Sequence, residues 1–197
     1  SHKYDDRNRA VVRTYLNPDG TASTNNEGIS TIRYTFDLRG NNTKIECLDV
    51  KGKLAMSAKM FACLTTEYDD FGNRIKVSLY DENMKLCNSG STAMGIFEYD
   101  HSTNQCVLQK YYDQSQKLVY SEHNKYDSKS NLVEHYYTDE KGELMSGTLV
   151  EKYQYNDNNL IVEASYHKLD GSYANHPTYK YAIDRRKYDD RGNRTNR

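Results

Sequence analysis

Short runs in which apolar and polar positions alternate recur along the 197-residue chain. Ile75, Val77 and Leu79 alternate with Arg74, Lys76 and Ser78, and Val162, Ala164 and Tyr166 alternate with Ile161, Glu163 and Ser165. A period of two puts one set of side chains on each face of a β-strand. Runs rich in β-branched and aromatic residues start at Ser30 (STIRYTF), Gly95 (GIFEY), Leu149 (LVEKYQY) and Tyr179 (YKYAI) and also predict strands. Only Lys53–Thr66 (KLAMSAKMFACLTT) has a composition that would allow a short helix. Its place between turn signals predicts strand instead.

The turn signals repeat. YDDFGN at Tyr68–Asn73 returns as YDDRGN at Tyr188–Asn193 and as FDLRGN at Phe36–Asn41. Looser copies are YDDRN from Tyr4, YDHSTN from Tyr99, YDSKSN from Tyr126 and YNDNN from Tyr155. The seven anchors are spaced by 32, 32, 31, 27, 29 and 33 residues. A second turn signal follows each of the first six anchors by 11 to 13 residues, as in YLNPDG from Tyr15, LDVKGKL from Leu48 and YTDEKGEL from Tyr137. Self-similarity at such a period marks a repeat architecture. One array over residues 1–197 is predicted, with units starting near 4, 36, 68, 99, 126, 155 and 188 and the last incomplete.

Within the strict copies, Asp37, Asp69 and Asp189 suit the first position of a type I turn. Gly40, Gly72 and Gly192 fall where a G1 bulge needs positive φ. Asn41, Asn73 and Asn193 follow, as residues able to bond to the backbone. Thr103 and Ser130 replace the glycine in two copies, which predicts either modest strain or another turn. The Tyr4 and Tyr155 copies read as one residue shorter in this turn, and the strand phase slips by one residue between copies.

The predicted fold class is all-β: tandem antiparallel hairpin repeats of about 30 residues in an elongated, twisted single-layer or spiralling sheet. Composition supports it. The hydrophobic fraction is 36%, but 19 of those residues are Tyr. Leu, Ile, Val and Phe number 34 of 197, too few for a thick aliphatic core. Tyr suits a thin array, burying its ring while its hydroxyl reaches water or a partner. Same-phase Tyr from adjacent units are expected to form ladders across the sheet, worth about 0.2–1 kcal/mol per pair.

Charge and motifs narrow the chemistry. Lys and Arg number 27 against 28 Asp and Glu, so no field for nucleic acid or an anionic membrane is expected. No apolar run approaches membrane-spanning length, and no secretory signal peptide is visible. The first residue is Ser rather than Met, which predicts a processed or cloned fragment. Cys47, Cys63, Cys87 and Cys106 lack metal-ligand spacing and are expected as free, half-buried thiols, with one or two disulfides as the alternative. There is no G-x-S-x-G, Walker A, G-x-G-x-x-G or calcium-loop pattern. No catalytic residue, cofactor or metal is therefore predicted. The shortened units at Tyr99 and Tyr126 depart most from the period, so Tyr111, Tyr112, His123 and His135 are the candidates for a ligand surface.

The Tyr-Asp-x-x-Gly-Asn signature followed by a strand resembles the YD-repeats of bacterial RHS-type cell-surface and toxin-carrier proteins. The resemblance covers essentially the whole chain and is strict at Tyr68 and Tyr188. It implies long spiralling β-sheets and a bacterial source, while the core-domain and self-cleavage signatures of those proteins are absent. The expected role is a non-enzymatic binding or structural module of an envelope or secreted protein. A protein or glycan surface is the expected ligand, without nucleic acid or membrane insertion. The alternatives are a carbohydrate-active hydrolase with carboxylates in a groove of the sheet, and a cytoplasmic protein-interaction repeat.

Overall fold

The computed structural model describes residues 1–195. Thirteen strands form one open sheet in which each strand lies beside its neighbours in sequence, β1 through β13. They are β1 (His2–Tyr4), β2 (Ala10–Thr14), β3 (Thr31–Phe36), β4 (Asn42–Leu48), β5 (Cys63–Tyr68), β6 (Arg74–Tyr80) and β7 (Met94–Tyr99). β8 (Cys106–Tyr112), β9 (Leu118–Tyr126), β10 (Leu132–Asp139), β11 (Val150–Tyr155), β12 (Ile161–His167) and β13 (Ile183–Arg185) follow. The described residues contain no helix. The Lys53–Thr66 segment is a bridge at Leu54, a turn at Ser57–Met60 and the start of β5. The strand expected over Tyr179–Ile183 is shifted: Tyr179–Ala182 belong to a loop and β13 begins at Ile183.

Two compact units divide the chain, one of residues 1–96 with 111–119 and the other of 97–110 with the residues from 120 onward. In the first unit, hairpins β1–β2, β3–β4 and β5–β6 join edge to edge through β2–β3 and β4–β5. In the second, β9–β10 and β11–β12 join through β10–β11, and β13 pairs with β12. All of these pairs are antiparallel.

The first six anchors each end the first strand of a hairpin, and Tyr188 forms an isolated bridge with Arg194. In five hairpins a register shift falls beside the turn: at Lys3/Tyr4, Thr35/Phe36, Glu67/Tyr68, Leu132/Glu134 and Gln154/Tyr155. These bulges are the physical source of the one-residue phase slip, because an extra residue inverts the alternation of faces. The Tyr4 and Tyr155 turns are full length, contrary to the sequence reading. Asn8 and Asn159 stand at the glycine position with φ of 59° and 58°.

A unit holds more than two turns. After the second turn the chain makes a short bridge, such as Leu48 to Leu54 or His167 to Tyr173. A third turn, headed by Asn25, Ser57 or His176, then returns it to the sheet. The second turn of the Tyr99 unit, Asp113–Lys117, instead leads straight from β8 into β9, which accounts for the spacing of 27.

The returning loops sit where the core lies. Ile29, Cys47, Leu48, Ala62, Cys63, Ala93, Val150, Ala164 and Tyr166 are buried, with Ser30, Ser57, Ser78, Ser121, Thr138, Ser165 and His167 among them. These cluster at the strand ends away from the Tyr-Asp turns. The residues are mostly small, so the layer is thin, as the aliphatic deficit implies.

Candidate functional site

The Tyr-Asp motif divides its work between two scales. In the Asp69 turn, Asp69 N–H donates to the Asn73 carbonyl (3.0 Å) and Gly72 N–H to the Asp69 carbonyl (3.2 Å). Asp69 Oδ1 accepts from the N–H groups of Phe71 (2.9 Å) and Asn73 (2.8 Å), and the Asn73 amide donates to Oδ2 (3.0 Å). Gly72 has φ of 87°. Asp37 with Gly40 and Asn41, and Asp189 with Gly192 and Asn193, repeat the arrangement, with φ of 98° and 81° at the glycines. Ser130 takes φ of 65° in the same place, whereas the Thr103 copy is one residue longer and moves positive φ to Asn104.

The turn heads are held in their charged form. Bonds from the side chains of Asn41, Asn131 and Asn193 lead in pulling Asp37, Asp127 and Asp189 below the usual carboxylate range. At Asp69, loss of solvent opposes this, and the bonds from Asn73, Phe71 and Gly72 outweigh it. Asp100, bonded first by the Ser102 hydroxyl and then by Thr103, is pulled down to about 2.

The tyrosine works across hairpins. The Tyr68 hydroxyl donates to the Asn42 carbonyl (3.0 Å), Tyr155 to Leu132 (2.8 Å) and Tyr188 to Ile161 (2.8 Å). Each acceptor lies five residues beyond the head of the preceding hairpin's turn. Tyr68, Tyr155 and Tyr188 are thus each tied to the preceding hairpin by a hydroxyl strap. Phe36 has no hydroxyl, and the Arg9 guanidinium lies 4.5 Å over its ring instead. Arginines link successive turns: Arg7 Nη1 donates to the Leu38 carbonyl, and Arg39 to the carbonyl and carboxylate of Asp70.

Of the ligand-surface candidates, the two histidines share the β9–β10 hairpin. His123 pairs across the hairpin with Tyr136, and their rings stack at 4.5 Å and 2°. His135 pairs with Asn124, packs edge-on against Tyr137 at 4.8 Å and lies 3.4 Å from Glu122. Adjacent residues 135 and 136 point to opposite faces, so the two histidines do as well. Loss of solvent, with Lys110 nearby, lowers the His123 pKa and favours the neutral ring. Tyr111 and Tyr112 close β8, and the Tyr112 carbonyl accepts the Ala93 N–H (2.7 Å).

Sequence reasoning missed two groupings. His167 Nδ1 lies 3.0 Å from the Gly171 carbonyl and Nε2 lies 2.9 Å from Ser165 Oγ. A carbonyl only accepts, so the proton sits on Nδ1 and Ser165 donates to Nε2. This is the pairing of a nucleophile with its base, but both residues are buried, beyond a substrate's reach. The i, i+2 spacing was the available signal. The second grouping is an open cleft of about 420 Å³ lined by Glu151, Tyr153, Tyr166, Tyr179, Asp184 and Arg186, among others. Tyr179 stacks on His176 (4.3 Å) and on Tyr181 (5.7 Å). The Tyr153 hydroxyl donates to Glu151, and Asp184 is bound by Arg186 (2.8 Å) and Arg194 (2.9 Å). Among the described acids, those displaced from their ordinary range, such as Asp184 here, are displaced downward. A catalytic acid needs the reverse.

Among the described residues, no group of three or more His, Cys, Asp or Glu could hold a metal ion. Cys47 and Cys63 are fully buried rather than half-buried, Cys87 and Cys106 are half-buried, and no disulfide links them.

No family model matches the chain, and none of the curated proteins matches it. Solved structures do. A structure of the Photorhabdus luminescens Tc holotoxin pore containing TccC3 aligns over 98% of this chain and 11% of its own, at 14% identity and a TM-score of 0.48. The crystal structure of TcdB2-TccC3-TEV aligns over 84% of this chain and 9% of its own, at 16% identity and a TM-score of 0.46. The chain thus spans about a tenth of the length of these proteins, and at such TM-scores the likeness carries no argument about its role.

Proposed function

We propose that the chain is a non-catalytic repeat module, structural or binding, belonging to a bacterial envelope or secreted protein. The observation that carries this reading is where the distinctive residues are used. The anchor hydroxyls of Tyr68, Tyr155 and Tyr188 bond to backbone carbonyls, and the turn carboxylates bond to backbone N–H groups. Residues engaged in the same way in several repeats serve the array, whereas chemistry gathers unlike groups at one point. The envelope or secreted setting is supported by the Tyr-Asp-x-x-Gly-Asn recurrence and its resemblance to RHS-type repeats. A surface ligand, protein or glycan, fits a sheet rich in half-exposed tyrosine.

The test is a glycan array and a partner pull-down, run beside glycosidase, esterase and peptidase assays. Binding abolished by tyrosine substitutions on one face supports the reading. Reproducible turnover abolished by a single carboxylate or histidine substitution overturns it.

A further inference from the structure

Two kinds of link tie neighbouring hairpins on the side of the Tyr-Asp turns. An anchor hydroxyl donates to the carbonyl five residues past the preceding turn head, at Tyr68, Tyr155 and Tyr188. A guanidinium two residues past a turn head grips the residue one past the next head. Arg7 donates to the Leu38 carbonyl (2.6 Å), and Arg39 to the carbonyl (2.5 Å) and carboxylate (3.0 Å) of Asp70.

Among the described residues, neither link joins the Asp100 and Asp127 turns, and the sequence supplies the reason. The position two past the head is Ser102, too short to cross. The Asp100 turn also carries one extra residue, closing from the Asp100 N–H to the Gln105 carbonyl (2.9 Å), where Asp69 closes on Asn73. The insertion displaces the carbonyl that would accept from the anchor. Tyr126 lines an opening of about 360 Å³ instead, together with Asp100, Ser102, Lys125, Asp127 and Ser128, among others. The opening lies between interior hairpins, β7–β8 and β9–β10, and within the second compact unit. Two carboxylates face one ammonium there, so its balance is negative. The four bonds that Asp100 accepts from Ser102 and Thr103 all fall on Oδ1, and Oδ2 carries none of them. In the Asp37, Asp69, Asp127 and Asp189 turns that oxygen accepts an asparagine amide.

We propose that this opening binds a guanidinium group, either the arginine side chain of a partner polypeptide or a small guanidino compound. The chain itself demonstrates the fit, because Arg39 fills the corresponding place two hairpins earlier, on a carbonyl and a carboxylate. Here the Ser128 carbonyl stands where that of Asp70 does, and Asp100 Oδ2 supplies the carboxylate. The planar fork of guanidinium donors reaches both at once, whereas an ammonium is a compact point charge. The site deepens the binding reading above, on which it rests, by giving it a place and a ligand chemistry.

The test is amide proton–nitrogen NMR of the full chain, titrated with N-acetyl-L-arginine methylamide, its lysine counterpart and an alanine-based peptide holding one central arginine. The expected result is a set of shifts confined to Ser102, Thr103, Asp127, Ser128 and their neighbours, half-saturated at about 1–10 mM of the arginine compound, as suits one charge-assisted group at an open site. The lysine compound should bind about threefold or more weakly. A peptide that binds about tenfold more tightly than the small compound identifies a polypeptide as the source, and equal affinities identify a guanidino compound. Ser102→Arg installs the residue that stands at this position as Arg7 and Arg39. It should fill the opening from within and weaken the response about tenfold, with the β-sheet circular dichroism unchanged. Asp100→Asn keeps an amide oxygen at the turn head, as Asn25 and Asn156 do, and should weaken it about threefold. No localised shift, a lysine compound that binds as well, or variants that respond like the parent chain would overturn the proposal. The module reading survives each of those results and falls only to turnover.

Discussion

Tyr155→Phe isolates the strap from the ring that carries it. The substitution deletes the hydroxyl that donates 2.8 Å to the Leu132 carbonyl, 23 residues earlier, and leaves the aromatic body in place. Phe36 occupies the same position in its own hairpin, so a bare ring fits there. A net intramolecular hydrogen bond contributes about 0.5–1.5 kcal/mol. Tyr155 is half-buried, so water can reach part of the abandoned carbonyl and the cost falls in the lower half, about 0.5–1 kcal/mol. Tyr155→Ala removes the half-buried ring too and should cost roughly 2 kcal/mol more. For a chain of this size, Tyr155→Phe lowers Tm by about 2–3 °C. Repeat arrays can melt in stages, so native-state hydrogen exchange across β10 and β11 is the sharper assay, with an expected acceleration of about twofold to fivefold. Tyr155 pairs across its hairpin with Ile161, whose carbonyl accepts from Tyr188, so these two straps are coupled, and the triple variant Tyr68→Phe, Tyr155→Phe, Tyr188→Phe should cost about 1–3 kcal/mol. A triple variant within about 0.3 kcal/mol of the parent, inside the usual error of additivity, would refute the strap, as would a Phe variant as costly as the Ala one.

Gly72 has positive φ and open space around its α-carbon, so Gly72→Ala should cost about 1 kcal/mol through backbone strain alone, and Ser130→Gly should be neutral or stabilising, both read by urea denaturation. The lowered carboxyl pKa values of Asp5, Asp37, Asp69, Asp100, Asp127 and Asp189 contribute stability that is complete above their unfolded value of about 3.9 and is lost as pH falls through the folded values. Tm should be flat from about pH 7 to about pH 5 and drop below about pH 4, and Asp100→Asn should shrink the drop, since Asn25 and Asn156 head turns with an amide oxygen. A Tm that rises on acidification would contradict that sign. Thiol titration should label Cys87 and Cys106 first, Cys47 and Cys63 only on unfolding, and all four in denaturant without reductant; fewer than four would mean a disulfide.

The Tyr-Asp hairpin period was legible because its chemistry admits few substitutes: a carboxylate or amide must head the turn, and Gly, Asn or Ser must take the positive φ. The third turn was hidden for the opposite reason. Asn25, Ser57 and His176 perform one task with three chemistries, and His176 does it by accepting the N–H groups of Thr178 and Tyr179 on Nδ1. The faces of His123 and His135 were equally hidden, since a bulge at Leu132/Glu134 inverts the alternation that a sequence count relies on. The straps required knowing which hairpins are neighbours, which sequence order supplies only once the sheet is known to run consecutively.

The links between hairpins span little chain. Strap and arginine grip reach 23 to 31 residues back or forward, about one repeat, so hairpins need only their immediate neighbours. A nascent hairpin therefore has its whole set of strap partners as soon as the one before it has formed, and loop closure costs the same at every addition. Damage is confined for the same reason: a broken turn loosens two hairpins and leaves the straps of the others intact. Whole repeats become units of gain and loss, exchangeable wherever a tyrosine meets the carbonyl five residues past a turn head.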